Sequence, residues 1–221
     1  METLALVCVY VTSIAAAYLL GSVNSAIIVT GIISKKQKDI RDLGSKNAGM
    51  TNVLRNFGIV PAIITLLGDF GKGILAVVLG RLVYSFFTDG NNIVIISYLC
   101  AVFVILGHIF PVFYKFKGGK GILTSTGMIA VIDPLVCALI VSIFLVLIFI
   151  TRYVSLSNIF ASISYPIFTT AILISGNENA QTIAAQAVFT CSIAALLVFM
   201  HRENIKRLIH GTESRIGDKK S

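Results

Sequence analysis

Long apolar runs separated by short polar stretches dominate this chain. The runs lie at residues 3–33, 58–87, 93–113, 122–132, 135–150, 159–175 and 182–200. Apolar residues follow one another without the strict alternation of a barrel strand. In a hydrocarbon core every backbone amide and carbonyl must pair within the chain, so each run predicts a helix. Two runs have lengths unlike a simple span. At about 1.5 Å per residue, the run 58–87 reaches ~45 Å, well beyond the ~30 Å core, and is expected to begin as an interfacial helix. The run 122–132 reaches only ~16 Å and predicts a broken or tilted element, a recurring way to build sites inside membranes. The expected fold is all-α and integral to the membrane: a seven-helix transmembrane bundle with at least one short or broken helix. One polytopic domain is expected over residues 1–210, with a polar, frayed tail at 211–221. Gly176 with Asn177, and Asp89-Gly-Asn-Asn92, read as turns on the outer side.

Composition agrees with a membrane protein. The chain has 221 residues, of which 56% are hydrophobic and 13% charged, and its mean hydropathy is +0.90. A soluble domain of this size cannot bury so much apolar surface. The first run is too long for a signal peptide and reads as a retained span. Cys8, Cys100, Cys137 and Cys191 lie inside apolar runs, with no metal-site or disulfide spacing. Charge then orients the spans. Sixteen of the eighteen Lys and Arg residues fall at 34–57, at 115–120, at Arg152 and in the tail, all on one side of the predicted bundle. The other side shows Glu2, Asp89, Asp133 and Glu178, with only Arg81 nearby. Basic loops stay cytoplasmic, so the N-terminus is expected outside and the C-terminus inside.

Four polar places face that basic side. Lys117-Gly-Gly-Lys-Gly121 follows His108-Ile-Phe-Pro111 and opens the short run 122–132. Glycines let a backbone approach an oxyanion closely, and helix N-termini favour negative charge. This stretch is not a nucleotide-binding Walker A motif, since Tyr114 and Gly121 stand where Gly and Ser or Thr are required. A second polar turn, Gly44-Ser-Lys-Asn-Ala-Gly-Met-Thr-Asn52, precedes Arg55, whose guanidinium suits a phosphate. The same residues also suit a capped helix start with surface cations. In Asp69-Phe-Gly-Lys-Gly73 a carboxylate and an ammonium stand three apart on one helix face. They form either a salt bridge locking helices or a functional pair. The fourth place joins Thr151–Asn158 with His201-Arg-Glu-Asn-Ile-Lys-Arg207. If the last helix runs on past the membrane, His201, Asn204 and Arg207 share a face. Arg202, Lys206 and Arg207 also suit anionic lipid heads.

Other chemistries are excluded by pattern. None of His108, His201 and His210 is followed five residues later by Asp, as many glycerolipid acyltransferases require. There is no Gly-x-Ser-x-Gly elbow, no His-Glu-x-x-His pair and no carboxylate pair placed for glycoside chemistry. A transporter for a phosphorylated metabolite, or a non-catalytic anionic-lipid scaffold, would use similar inward cations. Against transport, the outer side offers almost no cation to receive an anion.

Taken together, Gly44–Asn52, Asp69–Gly73, Gly107–Pro111 with Phe116–Gly121, Tyr153-Val-Ser-Leu156 and His201–Arg207 resemble the bacterial acyl-phosphate:glycerol-3-phosphate acyltransferases, the PlsY family. The five motifs stand in that family's order and extend from the first span to the tail near Arg215. The resemblance implies a seven-helix enzyme of the cell inner (plasma) membrane. It would transfer a fatty acyl group from acyl phosphate to the 1-hydroxyl of glycerol 3-phosphate, giving lysophosphatidic acid and inorganic phosphate. No protein base, cofactor or metal is implied, and the donor's phosphate would take the hydroxyl proton. Ser45, Arg55, His201 and Asn204 would bind glycerol 3-phosphate, while Lys120 and the amides around Gly118 and Gly119 would hold phosphate. Asn158 stands where the family usually has a substrate-binding Ser, and altered contacts are expected there. Lys46 and Met50 replace the usual Gly and Ala, and Lys46 must then adopt a turn that glycine favours. The implied partners are acyl phosphate, glycerol 3-phosphate, membrane lipid and other enzymes of phospholipid synthesis, with no nucleic acid.

Overall fold

The computed structural model describes residues 2–88 and 93–218, with side chains from residue 4 onward. The expected outer turn Asp89–Asn92, the tail cations Lys219 and Lys220, and the Glu2 side chain lie outside the described residues. The described chain is helical, and its helices fall in two compact units, Met1–Ile132 and Asp133–Ser221. The sequence reading takes residues 1–210 together.

The first unit holds α1 (Glu2–Ser22), α2 (Ser25–Ile33), α3 (Met50–Phe57), α4 (Ile59–Phe87), α5 (Ile93–Ile109) and the short α6 (Ile122–Ile132). The second holds α7 (Pro134–Thr151), α8 (Val154–Ser175), α9 (Ala180–Met200) and α10 (Arg202–Ile209). Among the described residues, six segments are long and apolar enough to cross a membrane, and the 11-residue α6 makes the seventh apolar element. The seven-element expectation therefore holds, including the short one.

Its boundaries need correction in four places. The run 3–33 is two helices, because Asn24 ends one and caps the next, accepting from the Ile27 amide at 3.0 Å. Hydropathy averaged over a span missed this break, since the polar Ser22, Asn24 and Ser25 are few and lie between long apolar stretches. The run 58–87 has no separate helix at its start: α4 continues from Ile59 to Phe87, and the short α3 precedes it. Gly58, at φ +90°, turns the chain between α3 and α4, a backbone conformation few other residues adopt. The run 93–113 stops being α-helical at Ile109, and a 3-10 turn over Val112–Tyr114 follows Pro111. Finally α8 begins at Val154 rather than at 159, so Asn158 sits in its second turn.

Within the first unit α4 is central and packs on α1, α2, α3, α5 and α6, while α1 packs along α5. Small residues allow the close crossings. A Cβ on Gly73 would run into the Thr124 carbonyl, and one on Gly127 into the Phe70 carbonyl. In lipid such van der Waals contact between backbones is a main source of helix association. It holds α6 tightly against α4. In the second unit α8 packs on α7, α9 and α10.

The expected fraying of the tail is overturned for its described part. Glu213 accepts from Ser155 Oγ at 2.9 Å, from Asn204 Nδ2 at 2.7 Å and from Arg207 Nε at 2.7 Å. The Ile216 amide donates to the Arg152 carbonyl at 2.9 Å, and the Arg215 guanidinium lies 4.8 Å from the Tyr153 ring centre. Polar composition predicts solvation, but this carboxylate meets three donors.

Candidate active site

Three of the four polar places meet at one end of the first unit. The Gly44–Asn52 turn is built around Asn52, which is 1% exposed. Its Nδ2 donates to the carbonyls of Ile40 (3.0 Å), Leu43 (2.9 Å) and Asn47 (3.1 Å). Its Oδ1 accepts from the Ser45 amide at 3.2 Å and from Asn56 Nδ2 at 3.0 Å. One buried side chain thus shapes the loop that presents the exposed Ser45. Asn52 belongs to the motif, but its spacing carries no sign of this organising part. Lys46 does take the left-handed conformation, at φ +58°. The amide of this residue donates to the Leu43 carbonyl at 2.9 Å, so the turn closes with Lys where Gly is usual. Met50 opens α3 after Gly49, and Arg55 lies half-buried in the last turn of that helix.

The glycine turn folds back on the end of α5. The Gly118 amide donates to the Ile109 carbonyl (3.1 Å) and the Gly119 amide to the His108 carbonyl (3.2 Å). Both amides are therefore bonded within the chain. What these glycines supply is room. A Cβ on Gly118 would strike the His108 carbonyl, and one on Gly119 would strike the His108 ring and lie 2.6 Å from the Ala48 carbonyl. The Ser45 loop and the glycine turn thus abut through Ala48 and Gly119. Lys120 follows, half-buried, and Gly121 at φ +88° leads into α6.

Arg41 ties the two loops a second time. Its Nη1 donates to the Tyr114 carbonyl at 2.9 Å and to the Lys117 carbonyl at 3.4 Å. Its Nη2 reaches Asp39 Oδ2 at 2.6 Å, and this guanidinium holds the Asp39 carboxyl below its ordinary value of 3.8. Sequence reading counted Arg41 only as a loop cation.

Beneath the glycine turn lies a buried polar cluster. Lys72 Nζ stands 2.9 Å from Asp69 Oδ1 and donates to the Val23 carbonyl at 2.7 Å. That carbonyl is free for Lys72 because Ile27, its helical donor, is turned to the Asn24 side chain. His108 Nδ1 lies 3.7 Å from Asp69 Oδ1 and 3.3 Å from the Thr124 hydroxyl. The pair thus locks the α1–α2 break to α4, and His108 carries the contact to the floor of the glycine turn. Of the two readings left open for Asp69 and Lys72, this geometry is the structural lock.

The second unit carries the remaining residues. His201 marks a break between α9 and α10, and its Nδ1 pairs with the Leu197 carbonyl at 2.8 Å. A carbonyl only accepts, so Nδ1 carries the proton. The last helix therefore does not run on unbroken, yet His201 and Asn204 are both buried, at 2% and 7% exposed. Asn204 donates to Glu213, a residue that sequence reading missed, since a lone Glu in a basic tail has no pattern. Burial alone would raise the Glu213 carboxyl, but the bonds from Asn204, Arg207 and Ser155 outweigh it and hold it below the ordinary 4.5. Asn158 is half-buried in α8, with its carbonyl accepting from Ser162 Oγ at 2.7 Å. Among the described residues, no cluster of His, Cys, Asp and Glu could hold a metal ion.

Comparison with known proteins follows the same residues. The glycerol-3-phosphate acyltransferase family profile matches residues 11–211. A glycerol-3-phosphate acyltransferase of Paraburkholderia phymatum is 43% identical over 205 residues, covering 92% of this chain and 91% of the relative. One from Thermoanaerobacter pseudethanolicus is 39% identical over 203 residues, covering 92% and 93%. Among solved structures, the integral membrane glycerol 3-phosphate acyltransferase PlsY (YgiH) in its glycerol 3-phosphate form superposes with a TM-score of 0.77. It is 31% identical, with 94% of this chain and 96% of that one covered. Its lysophosphatidic acid form gives a TM-score of 0.75 at 30% identity, covering 94% and 95%.

Proposed function

This chain belongs to the glycerol-3-phosphate acyltransferase family, and on that premise we propose that its acyl donor is acyl phosphate and its products lysophosphatidic acid and inorganic phosphate. The observation that carries the reading is the junction of the Ser45 loop and the glycine turn through Ala48 and Gly119, with Lys120 next in the chain and Arg55 on the helix that follows the Ser45 loop. Two phosphorylated substrates bring several negative charges together. Like unit charges 4 Å apart repel by about 4 kcal/mol at an effective dielectric near 20. A site for both must therefore be rich in cations and hydrogen-bond donors.

Ser45, Arg55, His201 and Asn204 bind glycerol 3-phosphate, and Asn158 contributes an amide where a hydroxyl is usual. Lys120 neutralises the donor phosphate, with Gly118 and Gly119 keeping the turn open beside it. The 1-hydroxyl oxygen attacks the acyl carbonyl carbon. The carbonyl π bond opens to an oxyanion and re-forms as the carbon–oxygen bond to phosphate breaks. The departing phosphate carries both electrons of that bond and takes the hydroxyl proton. Phosphate is a good leaving group, so positioning and oxyanion stabilisation supply most of the acceleration. The acyl chain has an apolar berth in the first unit. A groove of about 550 Å³ runs between α1 and α4, lined by Ala16, Leu20, Leu79 and Val83 among others, with Phe113 at its rim. The active site faces the cytoplasm, with the N-terminus outside, a reading that the distribution of Lys and Arg supports.

The test is a donor comparison with purified protein in detergent and labelled glycerol 3-phosphate. Palmitoyl phosphate should give lysophosphatidate and free phosphate in equal amounts. Product from palmitoyl-CoA, with none from palmitoyl phosphate, would overturn the donor assignment.

A further inference from the structure

The end of α2 forms a second anion-directed groove that the acyl transfer does not use. It has a volume of about 640 Å³ and is lined by Ile27, Ile28, Gly31 and Ile32 on α2, by Lys35, Lys36, Lys38 and Asp39 beyond it, and by Tyr114 across it. Its floor is apolar and its rim cationic. The three lysines are exposed and directly follow the first membrane span, which ends at Ile33. They therefore stand at the depth of lipid headgroups.

Several features make this more than a scatter of loop cations. Lys35 and Lys36 are both left-handed, at φ +51° and +62°. Consecutive non-glycine residues rarely adopt that conformation, and it persists only where surrounding bonds enforce it. Here the Lys36 amide donates to the Gly31 carbonyl at 2.7 Å and the Lys35 amide to the Ile32 carbonyl at 3.1 Å. Ser34 Oγ then pairs with the Lys38 carbonyl at 3.2 Å and receives the Lys38 amide at 3.3 Å. The lysines thus leave an ordered turn. Asp39, the acid on the rim, does not neutralise them, because both of its oxygens are held by Arg41. Gly31 completes the picture. It lies mid-helix, where glycine is a poor choice, and a Cβ there would touch nothing in the chain. Packing within the protein does not explain that open space.

We propose that this groove is a binding site for an anionic phospholipid of the cytoplasmic leaflet. The acyl chain lies along Ile27, Ile28, Gly31 and Ile32, and the phosphodiester sits under Lys35, Lys36 and Lys38. Charge complementarity decides the occupant. A neutral lipid would leave the lysine rim unmatched, and a free phosphate would leave the isoleucine floor uncovered. The site also adjoins the active-site loops, because Asp39 on its rim is bonded to Arg41, which in turn holds the Tyr114 and Lys117 carbonyls.

Native mass spectrometry of the full chain tests this, with phosphatidylglycerol and phosphatidylcholine offered at equal concentration. The wild type should retain one phosphatidylglycerol in at least fivefold preference. Lys35→Asn with Lys36→Asn, chosen because asparagine tolerates left-handed backbone, should remove the preference. Gly31→Phe should displace the lipid with every lysine still present. Lys206→Gln, an exposed cation change outside the groove's lining, should keep the wild-type pattern. Equal retention of the two lipids by the wild type would overturn the proposal, as would an unchanged preference in Gly31→Phe or its loss in Lys206→Gln. A dimer that dissociates on Gly31→Phe would also overturn it, assigning the groove to a second copy of the chain.

Discussion

A few side chains here do work that their residue type alone does not announce. Lys120 is an ordinary cation until the turn beside it is seen to have no room for a Cβ at Gly118 or Gly119. In the proposed chemistry it meets a phosphate, and a charge-assisted hydrogen bond of that kind contributes about 1.5–3 kcal/mol. Lys120→Ala should therefore lower kcat/KM by about tenfold or more, measured with palmitoyl phosphate as donor. Glu213 acts differently, through Asn204. Its folded carboxyl lies below the ordinary 4.5. Tail docking is accordingly stabilised above that pH and loses its stabilisation as pH falls through the lowered value. Hydrogen-exchange protection of residues 211–218, corrected for the intrinsic pH dependence of amide exchange, should be high near neutral pH and fall in acid. In Glu213→Gln it should be lower even near neutral pH. The Ser45 loop and the glycine turn stood out in the sequence as glycine-rich, cationic motifs, and the structure brings them against one another. Asn52, Arg41 and Glu213 did not stand out, since they work through partners as far as 12, 76 and 58 positions away in the chain, respectively.

At the level of helices, hydropathy identified all seven apolar elements, because lipid leaves a spanning backbone few alternatives. It could not see a break made by one polar side chain, as at Asn24. Nor could it place the start of α8, where Tyr153-Val-Ser-Leu-Ser-Asn158 is too polar on average to resemble a span. The short α6 shows how packing sets the site. Its contact with α4 through Gly73 and Gly127 fixes the helix that follows the glycine turn. Gly127→Val would force the Phe70 carbonyl away, an overpacking cost of about 1–3 kcal/mol. Thermal unfolding in detergent should shift downward. kcat/KM should fall as well, although residue 127 has no proposed contact with either substrate.

For the whole molecule, the proposed acceptor contacts come from widely separated parts of the sequence: Ser45 and Arg55 early in the chain, His201 and Asn204 near its end. The family establishes the kind of reaction, and the packed loops show how the first unit presents Ser45. The proposal requires these four residues to act in one binding event, which calorimetry of glycerol 3-phosphate binding to purified protein reads directly. The wild type should bind one molecule per chain, and Ser45→Ala and Asn204→Ala should each weaken that same event severalfold, the loss of a neutral hydrogen bond of about 0.5–1.5 kcal/mol. An affinity unchanged by either substitution, in protein that remains folded, would contradict the account.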